Sequence, residues 1–149
     1  MNYLLDTVTI SDLYETSSPG HSGIARRLAR LGKDDVLFIS VLSLYELEYG
    51  YANAPPEKKQ EIRRRITDAQ SSFRILSLST QAAGMFGFLK KRLRDTRNLT
   101  ERGSRYHNID VMLAATAIAE SCTLVSADSL FKDLQEFDAR LGRDHWDHS

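Results

Sequence analysis

Four short apolar runs, separated by segments with helical periodicity, constrain the fold of this 149-residue chain more than any other feature. The apolar runs cover residues 3–5, 36–39, 75–78 and 123–125. Helical patterns lie between them, over residues 10–15, 22–31, 44–51, 57–70, 80–94 and 109–121. Strands that alternate with helices in this way form βαβ units, so the pattern predicts a parallel sheet covered by helices on both faces.

The last of these helical patterns is apolar nearly all round, since it contains Ala114, Ala115, Ala117, Ile118 and Ala119. A helix without a polar face is buried, so we expect this one to lie at the centre of the molecule. The chain length fits one domain with a single core. We therefore predict an α/β fold with three layers, α/β/α, around a central, mostly parallel sheet of four to five strands, as one domain over residues 1–149.

Charge and cysteine content narrow the class of protein. The 20 Lys and Arg residues balance the 20 Asp and Glu residues, so any affinity for nucleic acid must come from a local patch. Cys122 is the only cysteine, which excludes an internal disulfide and a zinc–cysteine cluster, and we expect it to be buried. The chain shows no signal peptide and no apolar stretch of membrane length. We therefore expect a cytoplasmic protein with no membrane partner.

Four acidic residues fall where the predicted elements bring them together. Asp6 and Asp128 each follow a predicted strand, whereas Glu46 and Asp110 lie in the first turn of predicted helices. In an open parallel sheet these positions meet at one edge, where such folds bind ligands. Several carboxylates in one place are unfavourable unless a cation neutralises them, and oxygen ligands suit Mg²⁺ or Mn²⁺. The pattern predicts metal-assisted phosphoryl chemistry.

Each acid also has a purely structural interpretation. Asp6 and Asp128 can cap the helical turns that follow them. Glu46 lies three residues after Ser43, which matches a capping box, and Asp110 favours the positive end of a helix. We give more weight to the metal-site interpretation because all four acids fall at the same predicted edge.

The same residues carry a resemblance to a known family. The motifs, in chain order, are LLDT at residues 4–7, ELEYG at residues 46–50, IDVMLAATA at residues 109–117 and TLVSAD at residues 123–128. Their order and spacing resemble a PIN domain, and within that superfamily the chain is most similar to VapC-type toxins of prokaryotic toxin–antitoxin pairs. The similarity continues to a short strand and a tryptophan around Leu141 and Trp146.

The resemblance implies a function and a set of site residues. It implies a Mg²⁺- or Mn²⁺-dependent endoribonuclease toxin that acts on RNA, with tRNA or another structured RNA as the substrate class. It also implies a cognate antitoxin and a homodimer as partners. By this resemblance the catalytic residues are Asp6, Glu46, Asp110 and Asp128, the metal ligands are Asp6, Asp110 and Asp128, and the supporting residues are Thr7 and Ser126.

One position departs from the family. PIN domains commonly read Asp-Thr-Asn after the first strand, whereas Asp6-Thr7 is followed here by Val8. Loss of a residue that orients a metal ligand costs about 10–100-fold in affinity or activity. Val8 supports an alternative function, that of a non-catalytic PIN-like module that binds RNA or protein. It also argues against a haloacid-dehalogenase-like phosphatase, which needs a second aspartate at this position.

Histidine general acid–base catalysis is a weaker alternative. His107 is close in sequence to Asp110 and stays a candidate, whereas His145 and His148 belong to a polar tail.

Basic residues concentrate in one segment, residues 90–107, where seven cations face only Asp95 and Glu101. The cations are Lys90, Lys91, Arg92, Arg94, Arg97, Arg102 and Arg105. This segment is either a solvated helix end or an RNA-binding surface, and for the second case we predict that Arg97, Arg102 and Arg105 contact phosphates. A second cluster over residues 58–65 alternates with acids and is more typical of a solvated helix face.

Overall fold

A parallel sheet of five strands forms the centre of the computed structural model, which describes residues 1–146. The strands are β1 (Asn2–Leu5), β2 (Val36–Ser40), β3 (Arg74–Leu76), β4 (Thr123–Val125) and β5 (Gly142–Asp144). Their order across the sheet is β3-β2-β1-β4-β5, and every neighbouring pair is parallel. The predicted α/β class and the predicted strand number are confirmed, and β5 is the short strand expected near Leu141.

Helices cover both faces of this sheet. They are α1 (Thr7–Tyr14), α2 (His21–Ala29), α3 (Val41–Asn53), α4 (Pro56–Ser72), α5 (Thr80–Arg97), α6 (Glu101–Arg105), α7 (Asn108–Ala119) and α8 (Leu130–Phe137). Helices α1 to α4 contribute Ile10, Ile24, Leu44 and Ala69 to the core on one face. Helices α5, α7 and α8 supply the core on the other face. The molecule therefore has the three layers that the alternation of strands and helices predicts.

The central strand shows why the apolar runs were continuous. Tyr3 and Leu5 of β1 belong to one core, and Leu4, which points the other way, belongs to the second core. Successive side chains of a strand alternate between faces, so a strand buried on both faces needs an apolar residue at every position.

Helix α7 is the buried helix that its composition predicts, since Val111, Leu113, Ala114 and Ala117 are at most 1% exposed. It is followed after a short turn by β4, so it runs antiparallel to the strands and its first turn lies at their carboxyl edge. Cys122 in that turn is buried, as expected. No helix within residues 1–146 is both long enough and apolar enough to cross a membrane.

The structure corrects several predicted boundaries. Helix α3 begins at Val41, three residues before the predicted start, because Ser40 caps it by accepting a hydrogen bond from Leu42 N at 3.1 Å. Helix α6 was not predicted, because its five residues are too few to show a period. Helix α8 was expected only as a turn around Leu130 and Phe131, but it continues to Phe137.

Candidate active site

Asp6 lies directly after β1 at the carboxyl edge of the sheet, where it is 5% exposed. Its Oδ1 accepts a hydrogen bond from Thr9 N at 2.8 Å, so the expected capping role at α1 is real. Burial raises the pKa of Asp6, hydrogen bonds from Ser126 and Thr9 oppose that rise, and the charge of Asp128 adds to it. The capping bond occupies Oδ1, so Oδ2 can take another partner.

The pKa of Asp110 is the clearest sign that the four acids lie close together. It lies in the first turn of α7, as predicted, and is half-buried. Burial raises its pKa to about 6, with further contributions from the negative charges of Asp128, Asp6 and Glu46. Because charges this far apart in sequence all act on one carboxyl group, the fold places the four acids in a single electrostatic neighbourhood.

Glu46 reaches this neighbourhood from α3, but the capping-box interpretation is wrong. It lies in the second turn of α3 rather than the first, because the helix begins at Val41. Its Oε1 accepts a hydrogen bond from Thr7 Oγ1 at 2.5 Å, and the same hydroxyl is 2.9 Å from Ser43 Oγ. Ser43 is fully buried. The Thr7 side chain therefore links the start of α1 to α3 and holds Glu46 beside Asp6.

Asp128 closes the group from the loop after β4 and is exposed to solvent. Its Oδ1 accepts from Leu130 N at 2.9 Å, which is the expected capping role, and its own N–H donates to Ser126 Oγ at 3.1 Å. Ser126 is fully buried. Ser126 also lowers the pKa of Asp6, so it lies near two of the predicted acids.

The donor set suits a hard divalent cation, although the side chains are not closed around one. Within residues 1–146, no three His, Cys, Asp or Glu side chains form a ready metal-binding group. The four acids and the nearby hydroxyl groups nevertheless offer only oxygen ligands, the type that Mg²⁺ and Mn²⁺ prefer. Asn108 Oδ1, at the start of α7, is buried with no partner among the described residues. Repelling carboxylates with only oxygen ligands are consistent with a site for a hydrated cation.

Val8, the position that departs from the family, is 63% exposed on the first turn of α1. Its side chain offers no hydrogen bond to Asp6 or to a water near it. Asp6 takes its hydrogen bonds from Thr9 and Ser126 instead. The motifs contain Ser126, which the resemblance implies as a supporting residue, but they do not contain Thr9.

Other candidate residues lie away from this group or have other partners. Glu48 forms two hydrogen bonds of 2.7 Å with Arg63, as expected for a residue on a different face of α3. His107 is the residue before α7 and makes no side-chain capping bond. His148 lies outside the described residues.

The basic segment over residues 90–107 is largely neutralised by local contacts. Arg97 donates to Asp133 Oδ2 at 2.9 and 2.6 Å, and Lys91 donates to Asp95 at 2.7 Å. Arg94 forms an ion pair with Glu101. The three arginines of the second cluster are also paired, since Arg63 binds Glu48 and both Arg64 and Arg65 bind Glu61.

Comparisons with known proteins agree with the observed fold. The PIN domain family model matches residues 3–136. A curated relative, Ribonuclease VapC2 of Rickettsia felis, is 29% identical over 99 residues, which are 66% of this chain and 68% of that protein.

Solved structures match over nearly the whole chain. The structure of VapBC2 from Rickettsia felis, bound to a DNA fragment from its promoter, has a TM-score of 0.78 at 25% identity and covers 98% of this chain and 99% of its own. The structure of VapBC-1 from nontypeable Haemophilus influenzae has a TM-score of 0.75 at 20% identity, covers 98% of both chains and shows a shared fold.

Proposed function

The chain belongs to the PIN domain family, and from that premise we propose that it is a divalent-metal-dependent endoribonuclease, the toxin of a VapC-type toxin–antitoxin pair. The observation that carries this proposal is the pKa of Asp110, which burial and the charges of Asp6, Glu46 and Asp128 raise to about 6. Four carboxylates from both ends of the chain repel one another at a sheet edge. Such an arrangement is costly for folding and useful for holding a cation.

In this proposal Asp6, Asp110 and Asp128 hold Mg²⁺ or Mn²⁺. When bound there, such an ion would make a water molecule nucleophilic at neutral pH and would stabilise the negative charge that develops on the phosphate and on the leaving oxygen. The chain itself fixes its ligands, since Asp6 and Asp128 are each held through one oxygen by a backbone N–H. Each carboxylate keeps lone pairs that a cation could share.

Glu46 has a positioning role in the proposed mechanism. Thr7 Oγ1 holds Glu46 Oε1, and Ser43 is close enough to hold the Thr7 hydroxyl. The free Oε2 then orients the attacking water or completes the ligand set. Ser126 steadies the opposite side, because it contacts both Asp6 and the backbone of Asp128.

The substrate in this proposal is RNA, with tRNA or another structured RNA as the class. The predicted phosphate contacts of Arg97, Arg102 and Arg105 remain predictions, and Arg97 already has a strong partner in Asp133. A homodimer is part of the same proposal and follows from the resemblance to VapC-type toxins.

A groove between helices that follow Asp6 and carry Glu46 suits an antitoxin. A cavity of about 390 Å³ lies between α1, α3 and α4, with Ile10, Leu47, Gly50 and Ile66 in its lining. Leu47 is next to Glu46, and Ile10 is one turn from Asp6. The relatives above include toxin–antitoxin complexes by their names. We propose that an apolar antitoxin segment occupies this groove and covers the acids.

The decisive experiment is cleavage of a mixed RNA pool by the purified protein with Mg²⁺, with Mn²⁺ and with EDTA. We expect cleavage that stops in EDTA and is lost in Asp6→Asn and Asp110→Asn, because each variant removes an anionic ligand. Asn keeps the capping ability of Asp6, so that variant should stay folded.

Glu48→Gln is the matched control, since it neutralises an acid two residues from Glu46 that binds Arg63 instead. Cleavage that continues undiminished in EDTA contradicts the metal mechanism. A folded protein that binds RNA and Mg²⁺ but never cleaves favours the non-catalytic module that Val8 suggested.

A further inference from the structure

The basic segment over residues 90–107 contains a small surface that the proposed metal site does not use. Three of its seven cations, Lys91, Arg94 and Arg97, are held in ion pairs. Two more, Lys90 and Arg92, lie over the aromatic rings of Phe86 and Phe137. Only Arg102 and Arg105 are exposed and have no side-chain partner within residues 1–146.

Tyr106 stands beside these two arginines. It is 80% exposed, and its ring has no contact with another ring or cation in the described part of the chain. Arg102, Arg105 and Tyr106 line a shallow depression of about 310 Å³. We call these three residues the α6 patch.

Helix α6 holds this patch in a fixed position. Thr100 caps the helix by accepting a hydrogen bond from Gly103 N at 2.9 Å. Ser104 is 2% exposed and donates to Glu101 O at 2.8 Å, which anchors the inner face of the helix. The outward side chains of Arg102 and Arg105 are therefore presented by an anchored element.

The patch lies at the same edge of the sheet as the acids. Helix α7 begins at Asn108, immediately after Tyr106 and His107, and its first turn contains Asp110. Tyr106 precedes Asp110 by four positions, so their Cα atoms are at most about 14 Å apart. The α6 patch is thus close to the first turn of α7, which carries Asp110.

We propose that the α6 patch is a substrate subsite that binds one nucleotide of single-stranded RNA beside the cleaved phosphate. The base stacks on Tyr106, and Arg102 and Arg105 contact the flanking phosphates. Four carboxylates repel an RNA backbone, so a nearby cationic surface is needed to hold the strand at the site. This proposal rests on the proposed ribonuclease function.

The combination of residues favours RNA over an acidic protein segment. An acidic peptide would be satisfied by the two guanidinium groups alone. An exposed tyrosine between such cations and a phosphodiester-cleaving site is better explained by base stacking, which every base can provide.

The test is the affinity of the Asp6→Asn protein for a labelled single-stranded RNA of mixed sequence, measured over a salt series. We expect Tyr106→Leu to weaken binding about tenfold, since stacking on one base has about this effect. Tyr106→Phe keeps the ring and should bind like the parent. Replacing Arg102 and Arg105 with glutamine should flatten the slope of log affinity against log salt by about 1.4, or about 0.7 for each phosphate contact.

Arg30→Gln is the matched control. Arg30 is exposed at the end of α2, which leads to the amino edge of the sheet, so its loss should leave affinity and slope unchanged. Equal binding by Tyr106→Leu and the parent overturns the subsite, as does an Asp6→Asn protein that binds no RNA. A change in oligomer size without a change in RNA affinity assigns the patch to a protein contact instead.

A cleavage assay on the same RNA distinguishes this proposal from the proposed function. It uses the protein that retains Asp6, with and without Tyr106→Leu. If the protein cleaves and Tyr106→Leu cleaves equally well at low RNA concentration, the subsite is wrong and the function stands. If the protein never cleaves but Tyr106→Leu and the double arginine variant change RNA binding as expected, the subsite stands on a non-catalytic module.

Discussion

Asp110 is a residue whose charge the fold does not favour. Its pKa is raised from 3.8 to about 6 by burial and by three neighbouring carboxylates. A folded chain therefore keeps a proton on Asp110 at pH values where the unfolded chain has released it. In the absence of a cation, stability is lost as this proton leaves.

The first prediction concerns this linkage between protonation and folding. As pH rises through the window from about 4 to about 6, the free energy of unfolding of the metal-free protein should fall and then level off. The raised pKa of Asp6 acts in the same direction. Asp110→Asn removes the largest part of this dependence, so the variant should be more stable than the parent at pH 7 without metal.

Urea unfolding in EDTA at several pH values measures this effect. Adding Mg²⁺ at pH 7 should stabilise the parent by mass action, and the variant less. Parallel pH profiles for parent and variant would show that the carboxylates do not interact.

Sequence could predict which acids meet at this site, but not how each is held. Asp6 and Asp128 follow strands, so their place at the sheet edge comes directly from the alternation of elements. Their Ser126 contact could not be foreseen, because it depends on the relative placement of β1 and β4. In the same way, Arg97 looked free until Asp133, 36 residues away, proved to be its partner.

At the scale of secondary-structure elements, the hydrogen bond from Thr7 to Glu46 joins the start of α1 to the second turn of α3. The second prediction is that Thr7→Val lowers the rate of RNA cleavage by about 10–100-fold, because Glu46 loses the group that orients it. Thr7→Ser keeps the hydroxyl and should restore most of the rate.

Purified variants assayed at saturating Mg²⁺ and RNA test the role of Thr7. The free energy of unfolding should change by no more than about 1.5 kcal/mol, the range for one hydrogen bond. If Thr7→Val cleaves RNA at the parent's rate, the hydrogen bond from Thr7 is not required to orient Glu46.

The elements that escaped prediction share a cause. Helix α3 starts directly from β2 at Val41 with no loop between them, so the period of its apolar residues gave no sign of the first turn. Helix α6 is held by Thr100 and Ser104 rather than by an apolar face. Helices of this kind are defined by local hydrogen bonds, which an apolar pattern does not reveal.

At the scale of the whole molecule, the groove between α1, α3 and α4 is the proposed binding site of the antitoxin. Changes in this groove should therefore affect inhibition by the antitoxin and leave toxicity itself intact. The third prediction is that expression arrests growth of a bacterial host and that co-expression of the cognate antitoxin relieves the arrest. Gly50 lies in the lining, and a Cβ atom added there meets no atom within 4 Å. Gly50→Phe should therefore fold, fill the groove and abolish the relief without reducing toxicity.

Growth curves with and without antitoxin test this prediction. Gly84→Phe on α5 is the matched control, because its added side chain also meets open space but lies outside the groove. If the antitoxin relieves the growth arrest caused by Gly50→Phe as well as that caused by the parent, the antitoxin binds elsewhere. Harmless expression of the folded parent would argue against a toxin.

The strand order has a consequence for synthesis on the ribosome. β1 is synthesised before the other four strands and lies at the centre of the sheet. Its second edge can pair only after β4, more than a hundred residues later in the chain, has been synthesised. Contacts so distant in sequence form late and slowly. A nascent chain that has not reached residue 123 carries Asp6 and Glu46 but neither Asp128 nor the strand that places it. In the proposed function, the nuclease thus stays inert until synthesis has passed residue 128.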